Sequence, residues 1–478
     1  MPTTISPIGA PAFIGAVDAA DLQAKVIKAR PGSVVSLLNT VAPFHLRIDQ
    51  AKRSLHGHMV TVALPSDQVA AVTFKGPSLY TEVVGGVASA DEVFPKNAKG
   101  EYDSNYSIEM LDGASHFAVR GMRLSQGYMS FGGGAGHTDF EITDCIVEWA
   151  RNDIAQLVRC KRFLIDGLKG TRCVVKGFTM KFYDDGAPPV DAPPGNLGGG
   201  YDIDTLHNDS VQIRNEVGNA GVSEDFAIIN CDLETFGAGF VAYGDTSSGG
   251  LRWRRALIAN NKMRPYDKRA AWAIGTDIEV RGNQIGLHPV VTGRADPVEL
   301  VLERINAGDR VRGGLNSSLE GSMLFTTASG VDLNGVVNGD IVTPPALPNL
   351  RRSPWAPTPV RPALPAYNQK PEMIGRPGLF YALGGVAYSA KHPTDAQPPS
   401  APVGTWFTAG VGTVKGLENS TGEWRWTRDD VPIPGANGRT YQGTSSDIGS
   451  NRLKCQTRRT NAFGTSDWMD SYGVNVVA

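Results

Sequence analysis

The chain has 478 residues, of which 41% are hydrophobic and 20% are charged, so it is long enough for two or three domains. Its 46 Lys and Arg residues nearly balance its 48 Asp and Glu residues, and this balance argues against a protein built mainly to coat nucleic acid or an acidic membrane. The 56 glycines and 31 prolines follow no collagen-like period, which favours a turn-rich, all-β fold. The sequence shows no signal peptide and no run of 18 apolar residues.

The first predicted element is a helix that begins after Asp18. Leu22, Val26 and Ile27 form one helical face, and the sequence Arg30-Pro31-Gly32 ends the helix before a β-branched run. We therefore predict an N-terminal segment with a cap helix over residues 1–30, followed by a first strand.

The most informative pattern is an internal repeat of short alternating strands between residues 117 and 285. The repeat starts are separated by 23, 23, 63, 30 and 22 residues, and the interval of 63 would hold two longer coils. A period near 23 is too short for a pair of helices and lacks a leucine-rich pattern, but it fits one coil of several short strands. The six starting residues are Phe117, Phe140, Phe163, Phe226, Ala256 and Ile278.

A second strand is predicted 16 residues after four of these starts. If the coils stack, residues at equal offsets lie one strand spacing apart, about 4.8 Å. Alternation then sorts the side chains between the two faces of the wall. The predicted inward residues are Ala155, Leu157, Phe178, Met180, Val211, Ile213, Ala271 and Ala273, and the predicted outward residues are Gln156, Thr179, Lys181, Gln212, Arg214 and Trp272.

With these repeats, residues 18 to 340 resemble the right-handed parallel β-helix superfamily typified by pectate lyases. The resemblance implies an all-β protein with a right-handed parallel β-helix over residues 31–343. Near the end of this region, Asp296-Pro297 followed by VELVLERI predicts a capped helix that closes the solenoid.

Beyond the repeats, the composition changes twice. Ten prolines from Pro344 to Pro377 predict a stiff, extended linker over residues 344–378 that does not pack. Residues 379–478 then alternate as strands, and their pattern around Trp426, Tyr441 and Cys455 resembles bacterial and phage immunoglobulin-like modules. This resemblance implies a small β-sandwich, although no upstream cysteine is available to pair with Cys455.

A short motif, Asn-Asp-x-x-Gln, occurs at residues 152–156 and again at residues 208–212. Stacked coils would bring its outward side chains into one groove, although Asn and Asp at such positions also cap ordinary turns. A long loop between the two motifs is rich in Asp, and this composition permits calcium, although its spacing matches no known calcium loop. The groove residues are Gln156, Thr179, Lys181, His207, Asp209, Gln212 and Arg214, and the candidate calcium ligands are Asp184, Asp185, Asp202 and Asp204.

The β-helix resemblance implies an acidic polysaccharide as substrate and β-elimination as the reaction. Elimination needs a base and groups that stabilise an enolate. Lys181 or His207 could be the base, Arg214 and Gln212 could stabilise charge, and Tyr201 could protonate the leaving oxygen.

Two other functions stay open. Glycoside hydrolysis needs two carboxylates, which Asp153 and Asp209 could supply if they lie two coils, about 9.6 Å, apart. A non-catalytic adhesin would instead bind sugar rings on aromatic faces such as Tyr243 and Trp272.

The order of β-helix, proline-rich segment and immunoglobulin-like module resembles phage tail-associated receptor-binding proteins and depolymerases. This resemblance implies location in the virion tail or outside a cell. It also implies a cell-surface polysaccharide and other phage tail proteins as partners, and a homotrimer as the assembly. Neither nucleic-acid binding nor membrane insertion is expected.

Overall fold

The structure is a computed structural model. It divides into two compact units, Met1–Thr171 with Asp209–Leu364, and Arg172–Asn208 with Pro365–Ala478. The residues it describes are 12–53, 57–98, 105–127, 129–150, 152–172, 179–183, 200–204, 211–215, 222–235, 240–244, 253–265, 269–273, 275–286, 299–302, 310–319, 324–327, 336–337, 343–364, 366, 368–384, 386–410, 412–416 and 420–478.

The first unit is a parallel β-helix, as predicted, and its strands stack into three ladders. The first ladder has twelve strands, of which only the last pairs antiparallel with its neighbour. Its strands are Phe13–Ala16, Val34–Leu37, Val60–Ala63, Thr81–Val84, Ser115–Arg120, Thr138–Thr143, Lys161–Asp166, Glu224–Ile229, Trp253–Ala259, Gly275–Arg281, Val311–Gly314 and Val336–Val337.

The other two ladders belong to one 18-stranded sheet. The second ladder contains Phe44–Ile48, Val69–Lys75, Tyr106–Leu111, Met129–Gly132, Ala155–Val158, Val211–Asn215, Phe240–Gly244, Arg269–Ala273, Glu299–Leu302 and Leu324–Thr327. The third ladder contains Val87–Ala88, Arg123–Gly127, Ile146–Ala150, Lys169–Thr171, Asp232–Thr235, Lys262–Pro265, Gln284–Ile285 and Ser317–Ser318.

The strand register agrees with the repeat starts found in the sequence. Phe117, Phe140, Phe163 and Phe226 pair in succession, and Phe226 then pairs with Ala256, which pairs with Ile278. The interval of 63 residues, however, is a single coil, because Lys161–Asp166 pairs directly with Glu224–Ile229. The expectation of two coils in this interval is therefore wrong.

The aligned phenylalanines form a stack inside the β-helix. Ring centroids are 5.1 Å apart from Phe117 to Phe140 and from Phe140 to Phe163, and 4.8 Å apart from Phe163 to Phe226. Trp253 ends the stack with an edge contact at 5.3 Å. Since the ring spacing nearly equals the strand spacing, each ring packs on the coils above and below, and each pair contributes about 0.5–1.5 kcal/mol beyond burial.

In later coils, buried asparagines stack at the turn between the first and third ladders. The amide of Asn261 donates to Asn283 Oδ1, and the amide of Asn283 donates to Asn316 Oδ1, both at 3.0 Å. Each amide also donates to a backbone carbonyl, namely that of Ile228, Ile258 or Val280. Earlier coils place Cys145 and Cys231 at this turn, where burial raises the pKa of both thiols to about 12. Hydrogen-bonded asparagine amides thus stabilise this buried turn in the later coils, and packing of cysteine side chains stabilises it in the earlier coils.

The cap helix spans Ala19–Lys28, and the Asp18 carboxylate accepts a hydrogen bond from the Asp21 N–H at 2.8 Å. Leu22 and Val26 are buried as predicted, but Ile27 is 42% exposed, so its place on the buried face was wrong. A second helix, Ala90–Val93, is one turn long. The helix predicted after Asp296 is also wrong where the structure describes this region, because Glu299–Leu302 is a strand of the second ladder.

The proline-rich region behaves differently from the predicted linker. Residues 343–364, here named the strap, are extended but bind the β-helix. The N–H groups of Thr343 and Ala346 donate to Asp277 and Asp225, and the Ser353 hydroxyl donates to the Gly32 carbonyl. Proline favours the extended backbone, while the remaining N–H groups and side chains supply the contacts. The strap also contains a turn, in which the Ala356 N–H donates to the Ser353 carbonyl, and the expectation of an unpacked linker is wrong for it.

In the second unit, two sheets share a core that includes Tyr381, Phe407, Trp426 and Cys455. The strands from residue 379 onward complete this β-sandwich, and its immunoglobulin-like assignment stays a prediction. The first sheet contains Leu379–Leu383, Val386–Ser389, Trp406–Ala409 and Thr440–Gln442, and the second contains Ala401–Pro402, Thr421–Arg428, Val431–Pro432, Gly449–Asn461, Gly464–Thr465, Met469–Asp470 and Val474–Val477. Shorter elements are the pair Glu372–Gly375 and Thr413–Lys415, the antiparallel pair Thr179–Tyr183 and Gly200–Asp204, and the 3₁₀ turn Ser445–Asp447.

Candidate functional site

The outward face of the second ladder carries a row of five polar side chains and one glycine in six consecutive coils. Strand register places Arg47 beside Thr73, Thr73 beside Glu109, and Glu109 beside Gly132. The register of the next strands continues this row to Gln156 and Gln212. We name this row the polar stripe, and it consists of Arg47, Thr73, Glu109, Gly132, Gln156 and Gln212.

The two glutamines of the polar stripe contact each other directly. The Gln156 amide Nε2 donates to Gln212 Oε1 at 2.9 Å, and their backbones are paired. Gln156 is partly exposed, whereas Gln212 is 5% exposed. The predicted stacking of these two residues on one wall is therefore confirmed, with one strand spacing between them instead of two.

Tyr106 covers the glycine of the polar stripe. A methyl group at residue 132 would come within 2.8 Å of the Tyr106 ring and 2.9 Å of the Gln156 carbonyl oxygen. Gly132 does not have a positive φ, so glycine is required here for space and not for backbone conformation. The ring of Tyr106 thus takes the place of a side chain between Glu109 and Gln156.

A hydrogen-bonded chain lies at the other end of the polar stripe. The Thr73 hydroxyl donates to Glu109 Oε2 at 3.1 Å and lies 2.7 Å from His45 Nε2. Because the hydroxyl gives its hydrogen to Glu109, it accepts from His45, and Nε2 therefore carries the imidazole hydrogen. Burial lowers the pKa of His45, which keeps the ring neutral at pH 7.

His45, Thr73, Tyr106 and Glu109 were not among the residues selected from the sequence. Their strands precede the repeat that begins at Phe117, so they lay outside the aligned segments. The alternation in the strand Phe44–Ile48, with polar residues between apolar ones, was the available signal.

Three of the sequence-predicted residues continue the second ladder beyond Gln212. Arg214 pairs with Tyr243, and Trp272 pairs with Val241, which itself pairs with Gln212. The backbone of Trp272 is therefore in register with the polar stripe.

Other predicted residues lie on a separate antiparallel hairpin. Thr179 pairs with Asp204, Lys181 pairs with Asp202, and Tyr201 pairs with Phe182. Thr179 was expected between Gln156 and Gln212, and this position is wrong because the two glutamine strands pair directly. His207, Asp209, Asp184 and Asp185 lie outside the described residues.

The geometry predicted for a pair of hydrolytic carboxylates also changes. Ala155–Val158 and Val211–Asn215 are adjacent strands, so the strands of the two motifs are one coil apart and not two. The two-coil interval behind the expected separation of about 9.6 Å is therefore wrong, and Asp209 itself lies outside the described residues. Asp153 is 1% exposed, and this burial argues against direct contact with a bound sugar.

Among the residues that the structure describes, no group of three or more His, Cys, Asp or Glu side chains could hold a metal ion. Calcium at Asp184, Asp185, Asp202 and Asp204 stays a prediction. Within the same part of the chain, no helix is long and apolar enough to cross a membrane.

The sequence matches no family model and no curated protein. Solved structures similar to it include an alginate lyase from Paenibacillus sp. str. FPU-7, with TM-score 0.35 and 12% identity over 67% of this chain and 99% of that chain. DFA-IIIase from Arthrobacter chlorophenolicus A6 has TM-score 0.29 and 12% identity, over 74% and 98% of the two chains. Tailspike protein gp49 from the Acinetobacter baumannii bacteriophage Fri1, a capsular polysaccharide depolymerase, has TM-score 0.26 and 12% identity, over 98% and 78%. These TM-scores are low, and the β-helix assignment rests on the strand pairing described above.

Proposed function

We propose that the protein is a depolymerase of a cell-surface polysaccharide and that the glycan chain lies along the polar stripe. The observation that carries this proposal is the row of five outward polar side chains over six consecutive coils, in which Gln156 is hydrogen-bonded to Gln212. Five strand spacings give a length of about 24 Å, which suits a linear polymer of several sugar units. Tyr106 supplies an aromatic face within this row, and Glu109 and Gln156 supply hydrogen-bonding groups beside it.

The proposed reaction is β-elimination on an acidic sugar. A base removes the proton beside the uronate carboxylate, electrons move to form a double bond, and the glycosidic oxygen leaves with a proton. We assign Lys181 or His207 as the base, Tyr201 as the proton donor, and Arg214 with Gln212 as the groups that stabilise the developing negative charge. Gln156, Tyr243 and Trp272 are assigned to binding.

Incubation with acidic capsular polysaccharides tests this reaction. A lyase releases products with the ultraviolet absorbance of an unsaturated sugar, and this is the expected result. New reducing ends without that absorbance would instead indicate a glycoside hydrolase. Binding without either product would indicate an adhesin that holds glycan through aromatic faces.

Two substitutions test the assigned residues. Lys181→Ala is expected to lower turnover at least a hundredfold, in line with loss of a proton-transfer group, and a comparable loss in Asp209→Asn would indicate the carboxylate of the hydrolytic alternative. Arg452→Ala in the C-terminal sandwich is the control and is expected to leave turnover unchanged. Full activity in both site variants would show that the reaction takes place elsewhere.

We also propose that the protein acts in a virion tail or outside a cell, with other tail proteins as partners. The order of β-helix and C-terminal sandwich supports this placement, through its resemblance to tail-associated proteins. A homotrimer stays a prediction, and light scattering on the purified full chain would measure the mass directly.

A further inference from the structure

A buried arginine in the C-terminal sandwich has no carboxylate partner among the described residues. Arg459 lies on the long strand Gly449–Asn461, on the side that faces the core, and it is 8% exposed. Its Nε is buried without a hydrogen-bond partner. Burial and the nearby charge of Arg439 lower the pKa of Arg459 to about 10.

Such an arrangement is unfavourable for folding alone. A guanidinium loses its hydration on burial, and this loss is normally compensated by a carboxylate or by several hydrogen bonds. Arg439 adds like-charge repulsion instead of compensation. A buried cation without compensation therefore needs an explanation beyond packing.

Trp424 lies beside both guanidinium groups. The distance from its ring centroid is 5.7 Å to the Arg459 Cζ and 5.9 Å to the Arg439 Cζ. The ring is held by a hydrogen bond from Nε1 to the Gly410 carbonyl, and Arg439 is held by one from Nε to the Ala409 carbonyl. The aromatic face and one of the two cations are thus fixed in place.

A glycine makes room for this cluster. A methyl group at residue 422 would come within 2.8 Å of both Arg459 Nη1 and the Trp424 ring. Gly422 does not have a positive φ, so other residues could adopt its backbone conformation. The small residue therefore lets the Arg459 guanidinium and the Trp424 ring pack directly against the backbone at residue 422.

We propose that Arg459, Arg439 and Trp424 bind the carboxylate of an acidic sugar. A carboxylate accepts two parallel hydrogen bonds from a guanidinium, and its negative charge would compensate the buried charge of Arg459. The ring of Trp424 offers a face for the sugar that carries the carboxylate. The choice of a sugar rests on the proposed function, but none of the residues assigned to cleavage belongs to this cluster.

The neighbouring residue Arg458 provides a matched control. It faces the opposite side of the same strand and pairs with Glu423, with an Nη2 to Oε2 distance of 2.7 Å. It also lies over an aromatic ring, that of Trp468, at 4.5 Å. The two arginines thus differ mainly in burial and in the presence of a carboxylate.

The test compares Arg459→Met with Arg458→Met in the full chain, using methyl glucuronoside as the probe and saturation-transfer NMR for binding. We expect Arg459→Met to weaken binding at least tenfold and to raise Tm, since the unpaired buried charge is removed. Arg458→Met should retain binding. Methyl glucoside should bind more weakly than methyl glucuronoside, and acetate should compete with it.

Unchanged binding in Arg459→Met, or no binding of methyl glucuronoside to the unaltered protein, would overturn the proposal. Binding of poly-glutamate that depends on Arg459, without binding of the glucuronoside, would assign the site to an acidic peptide and also overturn it. If Arg459→Met fails to fold, Gly422→Ala gives the second test, because its methyl group should displace the guanidinium and lower affinity. Cleavage of polysaccharide by Lys181→Ala tests the proposed function separately, since it leaves this site intact.

Discussion

Arg120 in the β-helix and Arg459 in the C-terminal sandwich are both buried, but within the described part of the chain only Arg120 has carboxylate partners. Arg120 is 6% exposed, its Nε donates to Glu82 at 2.8 Å, and its Nη2 donates to Glu141. Burial acts to lower the pKa of Arg120, but Glu141 and Glu82 outweigh it and raise that pKa. The pKa of Arg459, without such partners, is lowered.

This comparison separates structural charge from charge that is available to a ligand. Along the first ladder, Arg162 pairs with Asp139, Arg255 with Asp225, and Arg310 with Asp277. In the strap, Arg352 forms a salt bridge with Glu82. The backbone N–H groups of Ala346 and Thr343 donate hydrogen bonds to Asp225 and Asp277. These charges are already satisfied within the protein. Arg459 has no carboxylate partner among the described residues, and this is why we assign it to binding.

The largest expected effect is the loss of Arg120. Arg120→Met should destabilise the β-helix by about 3 kcal/mol, because Glu82 and Glu141 then lose a buried counter-charge. Calorimetry on the full chain measures the effect as a lower Tm of the β-helix transition. Arg47→Met, at an exposed position, is the control and should change stability by less than about 0.5 kcal/mol. An equal Tm for both variants would show that the paired charges do not stabilise the first ladder.

The second expected effect is a loss of stability in acid that depends on His137. Burial lowers the pKa of His137 to about 4 in the folded protein, from 6.5 in the unfolded chain. The unfolded chain therefore binds an extra proton as pH falls from 6.5 to 4, and stability falls by roughly 3 kcal/mol over this range. Above pH 6.5 this contribution is constant.

Urea denaturation at pH 7 and pH 4.5 measures the acid effect. His137→Gln should show a smaller loss of stability between these pH values than the unaltered protein. His45 and His116 shift in the same direction by burial, so the difference between the two proteins isolates His137. The same loss of stability between pH 7 and pH 4.5 in both proteins would show that His137 does not cause the acid effect.

A moderate effect is expected from filling the space at Gly132. Gly132→Ala should displace the Tyr106 ring and weaken glycan binding about tenfold, with a stability cost of about 1 kcal/mol. Gly314→Ala is the control, because a methyl group there meets no atom within 4 Å. Affinity for the polysaccharide can be measured by calorimetric titration. Equal affinity of the two variants for the polysaccharide would show that Tyr106 does not contribute to glycan binding.

The smallest effect is expected at an exposed ion pair. Arg452 and Asp429 pair on the surface of the sandwich, where water screens both charges. Arg452→Ala should leave Tm unchanged, measured by calorimetry beside Arg120→Met. A clear drop in Tm would mean that exposed ion pairs contribute to stability as much as buried ion pairs do.

Much of the β-helix could be predicted from local pattern. Phe117, Phe140, Phe163 and Phe226 recur because each coil must bury the same inward position, and this requirement is visible in the sequence. Thr179 was misplaced because the alternation of its strand is the same for a coil strand and for a local hairpin. Alternation shows that a strand exists but does not identify its partner.

The site was predicted less completely than the fold. Gln156 and Gln212 were recognised from a repeated motif, whereas Glu109 and Tyr106 belong to coils without that motif. The significance of Arg459 depends on its having no carboxylate partner among the residues that the structure describes, which is a property of tertiary packing. No spacing in the sequence encodes it.

The rate of depolymerisation by a variant with both Gln156→Ala and Gln212→Ala tests the central claim most directly. The measurement is kcat/KM on an acidic capsular polysaccharide, with Arg452→Ala as the control. If the glycan lies along the polar stripe, the double variant should lose at least tenfold in kcat/KM while its Tm stays within a few degrees. A folded double variant with unchanged kcat/KM would contradict the claim.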